Sequence, residues 1–156
     1  SLREGYKRVS RWTKNFDLFE KKYLLVPVHD IIQQHWYLLI VLWPGRVIQV
    51  HPGNSKGGNE NNQPRLSDAY HRCKILILDS LGKFRDSAAQ RMSEYLQLEA
   101  YAKRNVPLDQ YLVLKVLDVH VAQQPNNVDC GVFLLHFARL FMSQPLKCLN
   151  AIKVLC

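Results

Sequence analysis

Eight consecutive apolar residues, Trp36 to Trp43 (WYLLIVLW), form the most restrictive stretch of the chain. A strand sends successive side chains to opposite faces, so a run that is apolar at every position reads as a strand buried on both faces. Lys74 to Leu78 (KILIL) reads as a second buried strand, and Tyr111 to Val119 (YLVLKVLDV) as a third core strand. Tyr23 to Val28 (YLLVPV) contains a proline, which places it near a sheet edge. Pro44-Gly45 marks a turn, and Arg46 to Val50 is expected to return as a hairpin strand.

Helical spacing follows later in the chain. Asp86 or Ser87 can cap a helix running to about Lys103, with Ala89, Met92, Leu96 and Ala100 on one stripe. Cys130 to Met142 (CGVFLLHFARLFM) is an apolar helix that begins almost at the cysteine, directly after the turn-rich polar segment Gln123 to Asp129. Strands come first, then helix, strand and helix. That order predicts an α+β domain rather than a doubly wound repeat.

A length of 156 residues fits one domain over residues 1–156, and 47% hydrophobic content suffices for a core. Between the strands lies HPGNSKGGNENNQPRLSD, from His51 to Asp68. It has no periodicity and reads as a flexible insertion. Twenty-one basic against 13 acidic residues give a net charge of +8, which suits either an acidic partner or simple solubility. The basic residues are scattered, without an Arg-rich arm or zinc-finger spacing, which weighs against nucleic acid as the main substrate. No apolar run approaches a membrane span, and no signal-peptide pattern stands at Ser1.

Four cysteines, Cys73, Cys130, Cys148 and Cys156, form no CxxC and no cluster with histidine at metal-ligand spacing. They are too sparse for a disulfide-stapled scaffold, so reduced thiols in the cytosol or nucleus are expected, with no metal and no cofactor. Cys130 differs from the others in its setting. A thiol at a helix N-terminus meets the positive end of the dipole and unpaired N–H groups, both favouring the nucleophilic thiolate. The bland alternative is a small buried core residue. Gly131 would let other groups approach the sulfur.

A thiolate nucleophile wants an imidazole held by a third group. His35 immediately precedes the buried strand, and Asp79 ends KILIL. Neighbouring strands of matching direction would bring both side chains out at one sheet edge. Six histidines are present, at 29, 35, 51, 71, 120 and 136, and pattern alone does not choose among them. Gln124 could set an amide beside the backbone N–H of Cys130, making two donors for an oxyanion.

Four segments together resemble one family. QQPNNVDCGVF (Gln123 to Phe133), HWYLLIV from His35, LILDSLG ending at Gly82, and RWTKNFDLF (Arg11 to Phe19) followed by YLLVPVH are similar to the motifs of the Ulp/sentrin-specific proteases. They stand in that family's order, His then Asp then Cys. The resemblance implies a papain-like α+β fold with a central mixed sheet flanked by helices. It implies a cysteine protease that cleaves after the terminal Gly-Gly of SUMO, acting on SUMO conjugates or chains, and located in the nucleus, or in nucleus and cytoplasm. It assigns Cys130, His35 and Asp79 to a triad and Gln124 to the oxyanion hole. It also implies that Trp12 and Trp36 clamp the glycine tail, where only glycines pass between two indoles.

The 44 residues from His35 to Asp79 (79 − 35) exceed the compact members' spacing, and the excess is the His51 to Asp68 loop. Such an insertion resembles the chain-editing branch, whereas YKRVSRWTKNFDLF resembles the precursor-processing branch as well. The family's domain normally extends before Ser1 and after Cys156, so truncation at both ends is expected. Two alternatives stand beside the SUMO protease: the same machinery aimed at another ubiquitin-like modifier or at an acyl adduct, and a catalytically silent module that only holds a modifier.

Overall fold

The apolar run forms β2 (His35–Leu42), and its side chains from Tyr37 to Leu42 are all buried. In the computed structural model, which describes residues 2–47, 72–106 and 114–154, β2 is paired with β1 (Tyr23–Asp30) and β3 (Lys74–Leu78). The sheet has the order β1-β2-β3-β4, with β4 spanning Lys115–Asp118. The proline-bearing β1 therefore lies at an edge, where its missing N–H costs no ladder bond.

Strand directions follow from the connections. Only a four-residue turn, Ile31 to Gln34, joins β1 to β2, so these two run antiparallel. The first residue of β2, His35, bonds the residue that follows β3, Asp79, so β2 and β3 are antiparallel too. Beyond β3, the N–H of Val119 donates to Ile77 at 2.9 Å and that of Gln124 to Ser80 at 2.9 Å. Both partners advance in the same sense, so β4 runs parallel to β3 and the sheet is mixed. The condition stated above, matching direction of the His35 and Asp79 strands, is thus corrected. A strand start meets a strand end on one edge only when neighbours run in opposite directions.

Two further expectations are corrected. Arg46 and Val47 belong to a short 3-10 helix, Pro44–Val47, rather than to a returning strand. Trp43 leaves β2 with φ +48°, and its N–H donates to Lys22 at 2.8 Å, which turns the chain out of strand geometry. Gly45 then passes so close to the Phe19 carbonyl that a Cβ would collide with it. Residues 48–50 lie outside the described part, as does the whole predicted insertion at 51–68. Likewise, among the described residues β4 is an edge strand and not a third core strand, since Lys115 and Asp118 are exposed and Val116 and Leu117 only half-buried. Residues 107–113 of that predicted strand are also outside the described part.

Helix α1 spans Leu2–Val9, α2 Asp86–Arg104, α3 Cys130–Ser143 and α4 Pro145–Val154. On α2 the stripe behaves as the spacing predicts, with Ala89, Leu96 and Ala100 fully buried and Met92 partly so. On α3 the buried residues are Cys130, Leu134, Phe137 and Phe141, one face at helical spacing. Helix α4 packs on α3.

The chain divides into two compact units, one formed by residues 1–24, 41–74 and 90–115, the other by 25–40, 75–89 and 116–156. In the first, Glu99 is wholly buried and accepts hydrogen bonds from Thr13 Oγ1 and from the Tyr6 hydroxyl (2.6 Å), with Lys103 Nζ 2.7 Å away. Burial alone would raise the Glu99 carboxyl, but Lys103, Thr13 and Tyr6 outweigh it and hold it below the usual carboxylate range. This network anchors the segment after α1 to α2. In the second unit lie β1 from Leu25, β2 to Ile40, most of β3 and β4, and helices α3 and α4.

Candidate active site

The local chemistry begins in the polar segment before α3. Asn126 Oδ1 accepts from the N–H groups of Val128 (3.0 Å) and Asp129 (3.1 Å), and its Nδ2 donates to Asp129 Oδ2 at 2.7 Å. This Asx turn delivers the chain into the helix with Asp129 as N-cap. Because the Asp129 carboxylate is held by Asn126, it makes no capping bond to the helix. The first-turn N–H groups of α3 have no side-chain cap, and Cys130 stands among them, 6% exposed. A Cβ at Gly131 would meet nothing within 4 Å, so the chain leaves open space beside the sulfur's own residue.

Gln124 is buried and held at three points. Its N–H donates to the Ser80 carbonyl at 2.9 Å, its Oε1 accepts from Ser80 Oγ at 2.5 Å, and its Nε2 donates to the Asn126 carbonyl at 2.5 Å. A carbonyl can only accept, so the atom facing Asn126 must be the NH2 group. One of its two hydrogens is used there, and the second remains to donate.

His35 and Asp79 are each 2% exposed and meet through Nε2 and Oδ1 at 2.7 Å. Oδ1 also accepts the Leu81 N–H at 2.8 Å, and Oδ2 accepts Arg85 Nε at 2.6 Å. Burial favours the neutral carboxyl of Asp79, yet the Leu81 N–H, Arg85 and His35 together hold it below the ordinary range. An ionised carboxylate only accepts, so His35 Nε2 carries the proton and Nδ1 is the basic nitrogen. The imidazole also lies 6.2 Å from the Tyr37 ring, two positions on along the same face of β2.

These residues form one bonded path inside the second unit. It runs from His35 to Asp79, along the chain to Ser80, across to Gln124, on to Asn126 and Asp129, and ends at Cys130. Trp36 points from the opposite face of β2, is 40% exposed, and stacks on His29 at 4.5 Å and 14°. Trp12 belongs to the first unit, is 75% exposed, and lies in the turn after α1.

The other thiols have different surroundings. Burial pushes the Cys73 thiol up to about 12, which keeps it protonated and inert at neutral pH. Cys148 is half-buried with its sulfur 3.9 Å from the Leu140 carbonyl, and Cys156 is outside the described part. Among the described residues no group of three metal-ligating side chains comes together. Three participants were not singled out from the sequence. Ser80 and Asn126 sit inside motifs already quoted, and the Asn pair before Asp129 is a recognisable turn signal. Arg85 carries no sequence signal, since only folding brings it to Asp79.

The chain resembles known proteins over nearly its whole length. It is 32% identical over 155 residues to "Ubiquitin-like-specific protease 2" of Schizosaccharomyces pombe, covering 92% of this chain and 24% of that one. It is 35% identical over 146 residues to "Probable ubiquitin-like-specific protease 2A" of Arabidopsis thaliana, covering 91% and 17%. A crystal structure described as "the de-sumoylating protease" superposes with a TM-score of 0.69 at 25% identity, covering 95% of this chain and 48% of that one. The chain thus spans a quarter or less of the length of these two relatives. Residues 1–151 match the Ulp1 protease family, C-terminal catalytic domain, and the chain belongs to that family.

Proposed function

We propose that this chain is a thiol isopeptidase that cleaves after the terminal Gly-Gly of SUMO, releasing it from conjugates or chains. The reading is carried by one observation: a buried His35–Asp79 pair, bonded at 2.7 Å, joined through Ser80, Gln124 and Asn126 to the uncapped helix start at Cys130. Family membership supports the same chemistry.

In this reading His35 Nδ1 takes the proton from Cys130 Sγ, and the thiolate attacks the carbonyl carbon of the last glycine. The carbonyl oxygen becomes an oxyanion, stabilised by the Cys130 N–H and the remaining Gln124 hydrogen. Collapse breaks the C–N bond, and His35 returns its proton to the departing lysine amine. The thioester left on Sγ is then hydrolysed by water, with His35 again as base. Asp79 fixes the tautomer throughout and stabilises the imidazolium. By the family pattern, Trp36 serves the glycine tail.

The test is a panel of propargyl-tipped modifiers: SUMO, ubiquitin and other ubiquitin-like proteins. A covalent adduct with the SUMO probe, lost in Cys130→Ala, is expected. Labelling by ubiquitin alone would redirect the substrate assignment, and labelling by none would leave only a modifier-binding module.

A further inference from the structure

Arg85 stands six residues beyond Asp79 and is 7% exposed. Its guanidinium has three partners on two sides. Nε donates to Asp79 Oδ2 at 2.6 Å, while Nη1 donates to Asp30 Oδ2 and to Gln33 Oε1, each at 3.2 Å. Asp30 and Gln33 belong to the end of β1 and the turn leading into His35. The Asp30 carboxylate is itself fixed, because its Oδ1 accepts the N–H groups of Ile32 and Gln33 at 3.1 Å each. The guanidinium carbon lies 4.8 Å from the centre of the Tyr37 ring, the ring that also neighbours His35.

One further atom bears on what this arginine is for. Among the described residues, Arg85 Nη2 is the buried side-chain nitrogen or oxygen left without a hydrogen-bond partner. Leaving such a donor unpaired costs free energy, so the side chain is not placed to maximise its own bonding. Its placement serves the two carboxylates. Without a cation between them, the buried Asp79 and the partly exposed Asp30 would be neighbouring like charges. When His35 holds the thiol proton, the cluster contains two cations, His35 and Arg85, and two carboxylates, Asp79 and Asp30. It is then neutral at the moment the thiolate forms. Lys83, whose Nζ donates to Gln33 Oε1 at 3.1 Å, adds a further positive charge nearby.

We infer that Arg85 is a positioning residue for the proposed isopeptidase reaction, clamping Asp79 to the β1–β2 turn so that His35 meets the carboxylate in one fixed geometry. The inference rests on the functional reading above. It assigns two separable duties to one side chain: a positive charge that keeps Asp79 ionised, and a planar fork that ties three groups together. Lysine can replace the first but not the second.

The experiment compares Arg85→Gln and Arg85→Lys with the wild-type chain. Cleavage of a fluorogenic SUMO substrate is followed as a function of pH. In parallel, the pH-dependent rate of Cys130 alkylation by iodoacetamide is measured, which needs a thiolate but no modifier. Arg85→Gln should lower kcat by about 10- to 100-fold with KM little changed, as expected for a small misplacement of a catalytic group. Its acid limb should move to higher pH in both assays, because Asp79 is protonated more readily once its cation is gone. Arg85→Lys should restore the acid limb but not the full kcat. A loss in Arg85→Gln that is equal at every pH, with both limbs unmoved, would reduce Arg85 to a packing role and overturn the inference. If Arg85→Gln does not fold, Arg85→Lys decides, and wild-type kcat in that variant overturns it. Should wild type alkylate with the expected limb yet cleave no modifier, the substrate reading fails while the alkylation limbs still judge Arg85.

Discussion

Replacing Asp79 by Asn changes one acceptor into a donor at constant size, and the surroundings accept neither orientation of the amide. The carboxylate receives His35 Nε2 at 2.7 Å and the Leu81 N–H at 2.8 Å on one oxygen, and Arg85 Nε at 2.6 Å on the other. With its NH2 toward Arg85, the amide sets two donors face to face. Turned over, the NH2 confronts the Leu81 N–H and pushes the imidazole proton from Nε2 to Nδ1, the nitrogen proposed to take the thiol proton. Either way a charge-assisted bond of about 1.5–3 kcal/mol is lost. The second orientation adds the wrong tautomer. The expected fall in kcat is about 10²- to 10⁴-fold with KM little altered, smaller than for His35→Ala, which removes the proposed base itself. Initial rates on a fluorogenic SUMO substrate, with a thermal melt to show that the variant is folded, make the check. A folded Asp79→Asn protein within a factor of about 3 of wild type would refute the reasoning.

Gln124→Ala should reduce kcat by about 10²- to 10³-fold in the same assay, as expected for loss of one oxyanion donor, and lower Tm because Ser80 Oγ and the Asn126 carbonyl lose their partner. Glu99→Gln should destabilise the fold by about 2–4 kcal/mol in urea titration, less than for a fully buried pair because Lys103 is partly exposed. The Glu99 carboxyl is held below its usual value, so its contribution is full above the ordinary carboxylate range and is lost as pH falls through the folded value. The acid side of a Tm-against-pH curve should therefore flatten in Glu99→Gln. Gly82→Ala should cost about 1–2 kcal/mol by chemical denaturation, since φ is +63° there and a Cβ would stand 2.8 Å from Gln123 Oε1.

Uninterrupted apolar runs made β2 and β3 legible from the sequence, because a strand covered on both faces tolerates no polar position. The start of α3 was equally legible, since a polar turn passes directly into an apolar helix at Cys130. The return after Pro44 was misread because what decides it is not local: Trp43 adopts a left-handed φ and Gly45 fits against the Phe19 backbone. Strand direction was not legible for a similar reason, as hydrophobic pattern carries no sign. Among the six histidines, composition and spacing did not single out His35, and only the resemblance in motif order did. What joins His35 to Asp79 is a pairing of strand ends 44 residues apart in sequence, which no local pattern encodes. Arg85 lay beyond sequence reasoning altogether, because its partners Asp79, Asp30 and Gln33 are assembled only by the fold.

The central claim is that Cys130, at the uncapped start of α3, is the nucleophile, while burial silences Cys73. The most direct measurement reacts the wild-type chain with propargyl-tipped SUMO and locates the adduct by peptide mass spectrometry. A single adduct on Cys130 is expected, retained in Cys73→Ala and Cys148→Ala and absent in Cys130→Ala. An adduct on Cys73 or Cys148, or one that survives Cys130→Ala, would contradict the account.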